Sequence, residues 1–282
     1  MAYTTLISAD VLAASNGRPD LVVLDARFSL DDEKWGARTY LEGHILGAHQ
    51  ADLAEHMSGP IVEGVTGRRP FPDPERFAAQ LGNWGIGPST QVVTYDNEGG
   101  LMAASRLWLM LRWLGHDNVA VLDGGYAAWL AFGGTVSTQV PTYAQSVYSP
   151  KLRPELLADV NEVNSARLLD KTCVFDSRGA EGYHGGGKYY DPVRGHIAGA
   201  GLADRAETMA PDGRFRDVVE LRHHFTSLIG EQESSSVIFY CGSGVTAAQN
   251  VLAMTHAGLP GSRMYVGSWS EWITDPNRPV EL

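Results

Sequence analysis

The 282-residue chain is poor in cysteine, in basic residues and in long apolar runs. Cys173 and Cys241 are its only cysteines. Two thiols build neither a disulfide framework nor a cysteine-rich metal site, so no metal is expected. Their scarcity fits a reducing cytoplasm, where a thiol stays free. No apolar stretch approaches the length needed to span a bilayer. The opening Met1-Ala2-Tyr3-Thr4-Thr5-Leu6 has neither a basic patch nor an unbroken apolar stretch, so it is not expected to act as a signal peptide. Lys and Arg number 22 against 33 Asp and Glu, a formal charge of −11. A chain this acidic is repelled by phosphate backbones and anionic lipid, so neither nucleic acid nor a membrane is an expected partner. What remains is ordinary: 44% hydrophobic and 20% charged residues place it among globular proteins, long enough for two domains.

The sequence is written twice. Leu21-Val22-Val23-Leu24-Asp25-Ala26-Arg27 returns as Thr172-Cys173-Val174-Phe175-Asp176-Ser177-Arg178. Gly43-His44-Ile45-Leu46-Gly47-Ala48 returns as Gly195-His196-Ile197-Ala198-Gly199-Ala200. Val92-Val93-Thr94-Tyr95-Asp96 pairs with Val237-Ile238-Phe239-Tyr240-Cys241, and Gly124–Trp129 with Gly267–Trp272. Four blocks in one order mark a tandem duplication. A first domain over 1–136, a proline-bearing linker over 137–154 and a second domain over 155–282 follow. Each copy alternates short apolar runs with helical stretches, the pattern of an α/β fold whose mainly parallel sheet carries helices on both faces. Strands are expected at 21–25, 92–96 and 119–123, then 172–176, 236–241 and 263–267. Helices are expected at 8–15, 74–82, 101–114, 125–132, 155–166, 217–229, 245–257 and 269–273.

The chemistry concentrates in Cys241-Gly242-Ser243-Gly244-Val245-Thr246, where a strand runs through a glycine-rich loop into a helix. Cys241 then sits at the carboxyl end of a parallel strand, where open α/β sheets bind ligands. Amides of Gly242, Ser243, Gly244, Val245 and Thr246 can converge on one point beside a helix start, forming an anion-binding nest. A thiol at such a place ionises more readily and becomes a nucleophile. Hydroxyls at Ser243 and Thr246 can add hydrogen bonds. Cys173, within the apolar run 172–176, reads instead as a buried structural cysteine. The first copy carries Asp96-Asn97-Glu98-Gly99-Gly100 at the equivalent loop, a carboxylate in place of the thiol, and is expected to be catalytically dead.

These residues resemble a two-domain rhodanese-type sulfurtransferase over nearly the whole chain. The resemblance is carried by the Asp25/Arg27 and Asp176/Arg178 strand ends, both Gly-His-Ile-x-Gly-Ala turns, the Cys241 loop and the closing Gly267-Ser268-Trp269-Ser270-Glu271-Trp272. It implies a tandem rhodanese fold. It also implies a catalytic Cys241 that takes a sulfane sulfur from 3-mercaptopyruvate or thiosulfate as a persulfide and passes it to cyanide or a thiol. A thioredoxin-like protein is a further acceptor of this kind, and no cofactor is implied. The loop without basic residues resembles the 3-mercaptopyruvate enzymes, while the donor itself stays open. Two positions depart from the family pattern. Gly182 stands where an arginine usually holds the donor's anionic group, and Arg69 stands where a histidine precedes a proline. Arg69, Lys188 and Arg194 are therefore candidate substrate-binding replacements.

Several conspicuous residues have a plainer reading. His44 and His196 occur in both copies, including the one without a thiol, and are expected to be structural. Arg27 and Arg178 are expected to pair with internal carboxylates or carbonyls. The Arg68-Arg69 pair either faces the active loop or lies in a solvated stretch. Gly185-Gly186-Gly187 with Tyr183, Tyr189 and Tyr190 reads as a flap or as plain loop. Trp108 and Trp113 are expected in packing, and Trp269 and Trp272 in a wall of the second domain. Rival functions are a persulfide carrier or redox sensor serving a protein partner, and a cysteine-dependent phosphatase or oxyanion reductase. The latter needs an arginine six residues after the cysteine, where Ala247 stands.

Overall fold

The computed structural model describes residues 2–169, 171, 173–187 and 190–282. The chain divides into two compact units. The first runs to Gly59, resumes over Phe71–Arg153 and takes in Pro211–Phe215. The second consists of Pro60–Pro70, Pro154–Ala210 and Arg216–Leu282, so an eleven-residue piece of the first repeat belongs to the body of the second.

In chain order the first unit holds β1 (Leu6–Ile7), α1 (Ala9–Ser15), β2 (Leu21–Asp25), α2 (Trp35–Glu42), β3 (His44–Ile45), β4 (Ala48–Gln50), α3 (Pro74–Asn83), β5 (Gln91–Tyr95), α4 (Ala103–Trp113), β6 (Val119–Leu122), α5 (Gly125–Phe132) and β7 (Val136–Ser137). Its sheet runs β1-β6-β5-β2-β4, every pairing parallel, with β3 and β7 as a small antiparallel ribbon. The second unit holds β8 (Leu157–Ala158), α6 (Val160–Ala166), β9 (Val174–Asp176), α7 (Ala180–Tyr183), β10 (His196–Ile197), β11 (Gly201–Leu202), α8 (Val218–Ile229), β12 (Ile238–Tyr240), α9 (Ala247–His256), β13 (Arg263–Tyr265), α10 (Ser268–Trp272) and β14 (Val280–Glu281). Its sheet, β11-β9-β12-β13-β8, is again all parallel, with β10 and β14 antiparallel. Strand for strand, the second order repeats the first.

Parallel sheets are covered on both faces, and the strands show it. Leu21, Val23, Val93, Tyr95, Ala120 and Leu122 form one buried cluster with Leu12 of α1 and Trp129 of α5. Between them Val22, Leu24, Val92, Val119 and Val121 are buried too, and Thr94 Oγ1 donates to Ala104 O of α4 at 3.0 Å. In the second unit Ile238, Tyr240 and Tyr265 pack with Val163, Trp269 and Trp272. On the other face the Phe239 ring lies 6.1 Å from Phe175 and 6.2 Å from Phe225 of α8.

Some boundaries differ from the sequence expectation. The helix expected at 155–166 begins only at Val160, because Asp159 caps it with bonds from Asn161 N and Glu162 N. Leu157 and Ala158 pair instead with Met264 and Tyr265 as an edge strand. Two-residue strands such as β3, β7, β10 and β14 were not expected at all, nor was α2. Residues 138–150 carry no helix or strand, but Ser146, Lys151 and Arg153 donate main-chain bonds to Gly82, Leu114 and Trp113. Tyr183, expected in a glycine-rich flap, ends α7 with its ring stacked on His196. Trp108 and Trp269 are almost wholly buried. Among the described residues, no helix is long and apolar enough to cross a membrane.

Each copy closes with the same clamp. Arg27 Nη2 sits 2.7 Å from Asp25 Oδ2 and 2.7 Å from Gly43 O, and Tyr95 Oη donates to Asp25 Oδ2 at 2.6 Å. Arg178 Nη2 likewise sits 2.6 Å from Asp176 Oδ2 and 2.7 Å from Gly195 O. His44 stacks on Tyr40 and His196 on Tyr183, at ring separations of 3.9 and 3.6 Å. The histidines and arginines present in both copies therefore hold the strand ends. Removing one partner of a buried pair leaves an unpaired charge, costing about 3–5 kcal/mol. Arg27→Met should lower the midpoint of urea unfolding, followed by circular dichroism, to match that loss. Arg18→Ala, at a pair with Asp20 that is more than half exposed, should leave the midpoint unmoved.

Candidate functional site

β12 lies between β9 and β13, and the chain order reverses beside it, which places its carboxyl end at a switch point of the sheet. Cys241 follows β12 directly and is 2% exposed. The loop 242–246 then curls into α9, which starts at Ala247 with Thr246 as its cap. Burial alone pushes the Cys241 thiol upward. The Thr246 hydroxyl and the amides of Ala247, Ser243 and Thr246 outweigh it and hold the thiol below its ordinary value of 9.0. The nest is thus made of main chain and one hydroxyl, with no cationic side chain among residues 242–246.

A curl that turns amides inward turns carbonyls outward, and these need donors. α10 supplies them. Trp269 N–H donates to Cys241 O at 3.0 Å and Ser270 N–H to Gly242 O at 2.9 Å. Ser268 Oγ accepts the Cys241 N–H at 3.1 Å, donates to Tyr265 O at 2.9 Å, and lies 3.9 Å from Cys241 Sγ. Ser268 has φ 53°, the one positive value at a non-glycine among the described residues, and so carries strain beside the thiol. Gly244, at φ +75°, admits no side chain, since a Cβ there would fall 2.0 Å from Val266 O. Behind the loop, burial works against the Arg178 cation, yet Asp176, Tyr240 and Cys241 together hold its pKa above the ordinary value. Its guanidinium lies over the Trp269 ring at 5.3 Å.

The equivalent loop of the first unit is built on the same plan and filled differently. Asp96 is fully buried, and its carboxylate accepts four amides: Glu98 at 2.9, Gly100 at 2.8, Met102 at 3.1 and Ala104 at 3.2 Å. Burial outweighs these bonds and leaves its pKa raised. This nest is occupied by its own side chain.

The candidate substrate-binding residues separate. Arg69 is half-buried next to Arg68, and Arg194 is exposed on the stretch that leads into β10. Lys188, like Tyr189 of the expected flap, lies outside the described residues. It is Arg68 that stands at the loop, with Nη2 3.7 Å from where a Cβ on Gly242 would be. Sequence marked the Arg68-Arg69 pair as a unit but did not tell its members apart. Ser268 and Ser270 were visible only as parts of the repeated Gly267–Trp272 block. Cys173 is buried outside β9, its Sγ 3.5 Å from Ala166 O, and burial pushes its pKa up. Among the described residues no group of three or more His, Cys, Asp and Glu could hold a metal ion.

Known proteins share this plan. A model of the rhodanese-like domain matches residues 8–132 and 159–275. A Pseudomonas aeruginosa protein described as a probable 3-mercaptopyruvate sulfurtransferase is 42% identical over 281 residues, 99% of each chain. The 3-mercaptopyruvate sulfurtransferase of Escherichia coli is 31% identical over 288 residues, 100% of this chain and 99% of that one. The thiosulfate sulfurtransferase of Mus musculus is 32% identical over 279 residues, 96% and 92% of the two chains. The crystal structure of SseA from Escherichia coli superposes with a TM-score of 0.80 at 30% identity, covering 95% of this chain and all of that one.

Two thiols in one protein, one depressed and one raised, give a direct test. Native Cys241 should react with iodoacetamide as pH climbs through a value below 9.0, while Cys173 stays unmodified until unfolding. Thr246→Val should move the Cys241 midpoint upward, because the replacement, similar in shape, lacks the hydroxyl that donates to the thiolate. Peptide mass spectrometry across a pH series reads both.

Proposed function

The chain belongs to the rhodanese family, and we propose that it moves sulfane sulfur from a small anionic donor to a thiophilic acceptor through a persulfide on Cys241. The observation that carries this reading is a buried thiol whose ionised form is stabilised by the Thr246 hydroxyl and loop amides. With 3-mercaptopyruvate, the Cys241 thiolate attacks the donor sulfur and the carbon–sulfur bond breaks. The electron pair returns to carbon as an enolate, which takes the donor's thiol proton and leaves as pyruvate. With thiosulfate, the sulfur–sulfur bond breaks and sulfite leaves. Either route gives the Cys241 persulfide anion, which the same amides stabilise. Cyanide or a thiol then attacks the outer sulfur and restores the thiolate, a ping-pong cycle. Ser243, Gly244, Val245 and Thr246 shape the nest, and Gly242 opens it.

The loop has no cationic side chain of its own, and the one guanidinium beside it, Arg68, matches a donor with a single carboxylate better than a dianion. 3-Mercaptopyruvate is therefore the favoured donor. A thioredoxin-like dithiol protein serves as an acceptor of the required chemistry, and two buried, free cysteines suit a reducing cytoplasm.

Steady-state kinetics with both donors and cyanide should give a higher kcat/KM for 3-mercaptopyruvate than for thiosulfate. Cys241→Ser should abolish both activities, since a hydroxyl neither ionises near neutral pH nor accepts sulfur. Mass spectrometry of donor-treated protein should place one added sulfur on the Cys241 peptide. Sulfur on Cys173, or turnover in the serine variant, overturns the mechanism. Loading once without turnover on cyanide or a small thiol indicates a carrier instead.

A further inference from the structure

We propose that Arg68 receives the donor's anionic oxygens, and that Asp191 occupies its guanidinium until a donor exchanges for it. The inference rests on Cys241 being the sulfur-accepting thiol. Arg68 is written in the first repeat, yet Pro60–Pro70 packs within the second unit. Its position there is set by close contacts. A Cβ on Gly67 would fall 2.4 Å from Gly267 O and 2.6 Å from Ser270 Oγ, so only glycine lets the segment settle against α10. Arg68 N–H then donates to Ser270 Oγ at 3.0 Å, and Ser270 N–H donates to Gly242 O at 2.9 Å. Two hydrogen bonds thus tie Arg68 to the residue that follows Cys241.

The side chain spans from there to the stretch before β10. Arg68 Nη1 donates to Tyr190 O at 3.2 Å and forms an ion pair with Asp191. Nη2, the other arm of the fork, is the atom beside Gly242. This geometry puts a guanidinium beside loop 242–246, which has no cationic side chain of its own. Without it, a donor's carboxylate lying beside the thiolate, in a chain of net charge −11, would have only amide dipoles to bind. Asp191 presents the group a donor would present, a carboxylate on one arm of a guanidinium, so after exchange the guanidinium is still paired with one carboxylate. The pair is placed for exchange: the Arg68 side chain is 34% exposed and Asp191 13%, unlike the sealed Arg27–Asp25 pair at 6% and 1%. Arg68 thus acts on the affinity and selection of donors and takes no part in bond making.

Paired alkylation of Cys241 tests the assignment without requiring sulfur transfer. Iodoacetate and iodoacetamide share a reactive carbon and differ by one carboxylate. In Arg68→Gln the iodoacetate-to-iodoacetamide rate ratio should fall roughly 10-fold or more, the loss of one charge-assisted hydrogen bond. Arg68→Lys should restore part of it. Asp191→Asn, which releases the guanidinium, should raise the ratio above wild type. In steady state, Arg68→Gln should raise KM for 3-mercaptopyruvate with kcat little changed. The ratios are compared at 1 M NaCl, where a field beyond about 3 Å is screened; if Arg68 and Asp191 form only a structural clasp, the ratio there stays constant across the variants, which overturns the proposal. The function and this inference fail separately. A normal Cys241 persulfide with an unmoved ratio removes Arg68 alone. A moved ratio with no sulfur on Cys241 leaves an anion receptor and removes the sulfurtransferase reading.

Discussion

A charge taken out of water must be solvated by something else, and this one constraint organises the second unit. Cys241 is almost inaccessible, and burial by itself would keep it a neutral thiol. Main-chain amides can replace water only if the loop turns tightly enough to aim several at one atom. That turn requires Gly244 against Val266 O, and it requires donors for the carbonyls thrown outward. α10 meets the second need through Trp269 and Ser270, and Ser268 accepts the amide of Cys241 itself. The Gly267–Trp272 block is thus the back half of the thiolate site. Preorganised dipoles of this sort need no rearrangement as negative charge passes from thiolate to persulfide.

The first unit shows what the same architecture does without a thiol. Asp96 occupies the nest and takes four amides, although burial still disfavours its charge. A loop built to hold an anion is satisfied from within, and it joins β5 to the buried helix α4. Comparing the copies also sorts the other residues. The Asp–Arg clamp and the stacked His–Tyr pair occur with either loop, so they belong to the scaffold. The thiol, Thr246 and the Ser268 contact belong to the second copy alone.

Duplication made much of this legible in the sequence. A block that recurs in order is informative even when each copy alone is a weak signal, and the repeats fall on β2 and β9, β3 and β10, β5 and β12, α5 and α10. The strand–loop–helix arrangement at Cys241 was legible because its parts are local: strand, glycines and helix start are contiguous. Short strands were not, since two residues carry no period. At 155–166 the apolar spacing of Leu156, Val160, Val163 and Ala166 suits a helix, and only the pairing with β13 turns Leu157 and Ala158 into strand. Arg68 was hidden for another reason. Its contact with Ser270 joins residues 202 positions apart, and nothing in the local sequence distinguishes it from Arg69.

That long-range contact bears on how an acidic protein handles an acidic substrate. Net charge sets the distant field, which falls off within about 10 Å at moderate salt. Inside that distance the local arrangement governs, and here it consists of a helix start, inward amides and one guanidinium fork. Because Arg68 is already balanced by Asp191, the resting site adds no net charge to the field. An arginine left bare there would attract every small anion in solution. Held by a carboxylate, in the proposed exchange it admits only ligands that match a carboxylate's shape. An acidic chain thus carries beside Gly242 an ion pair and inward amides, and no bare cation.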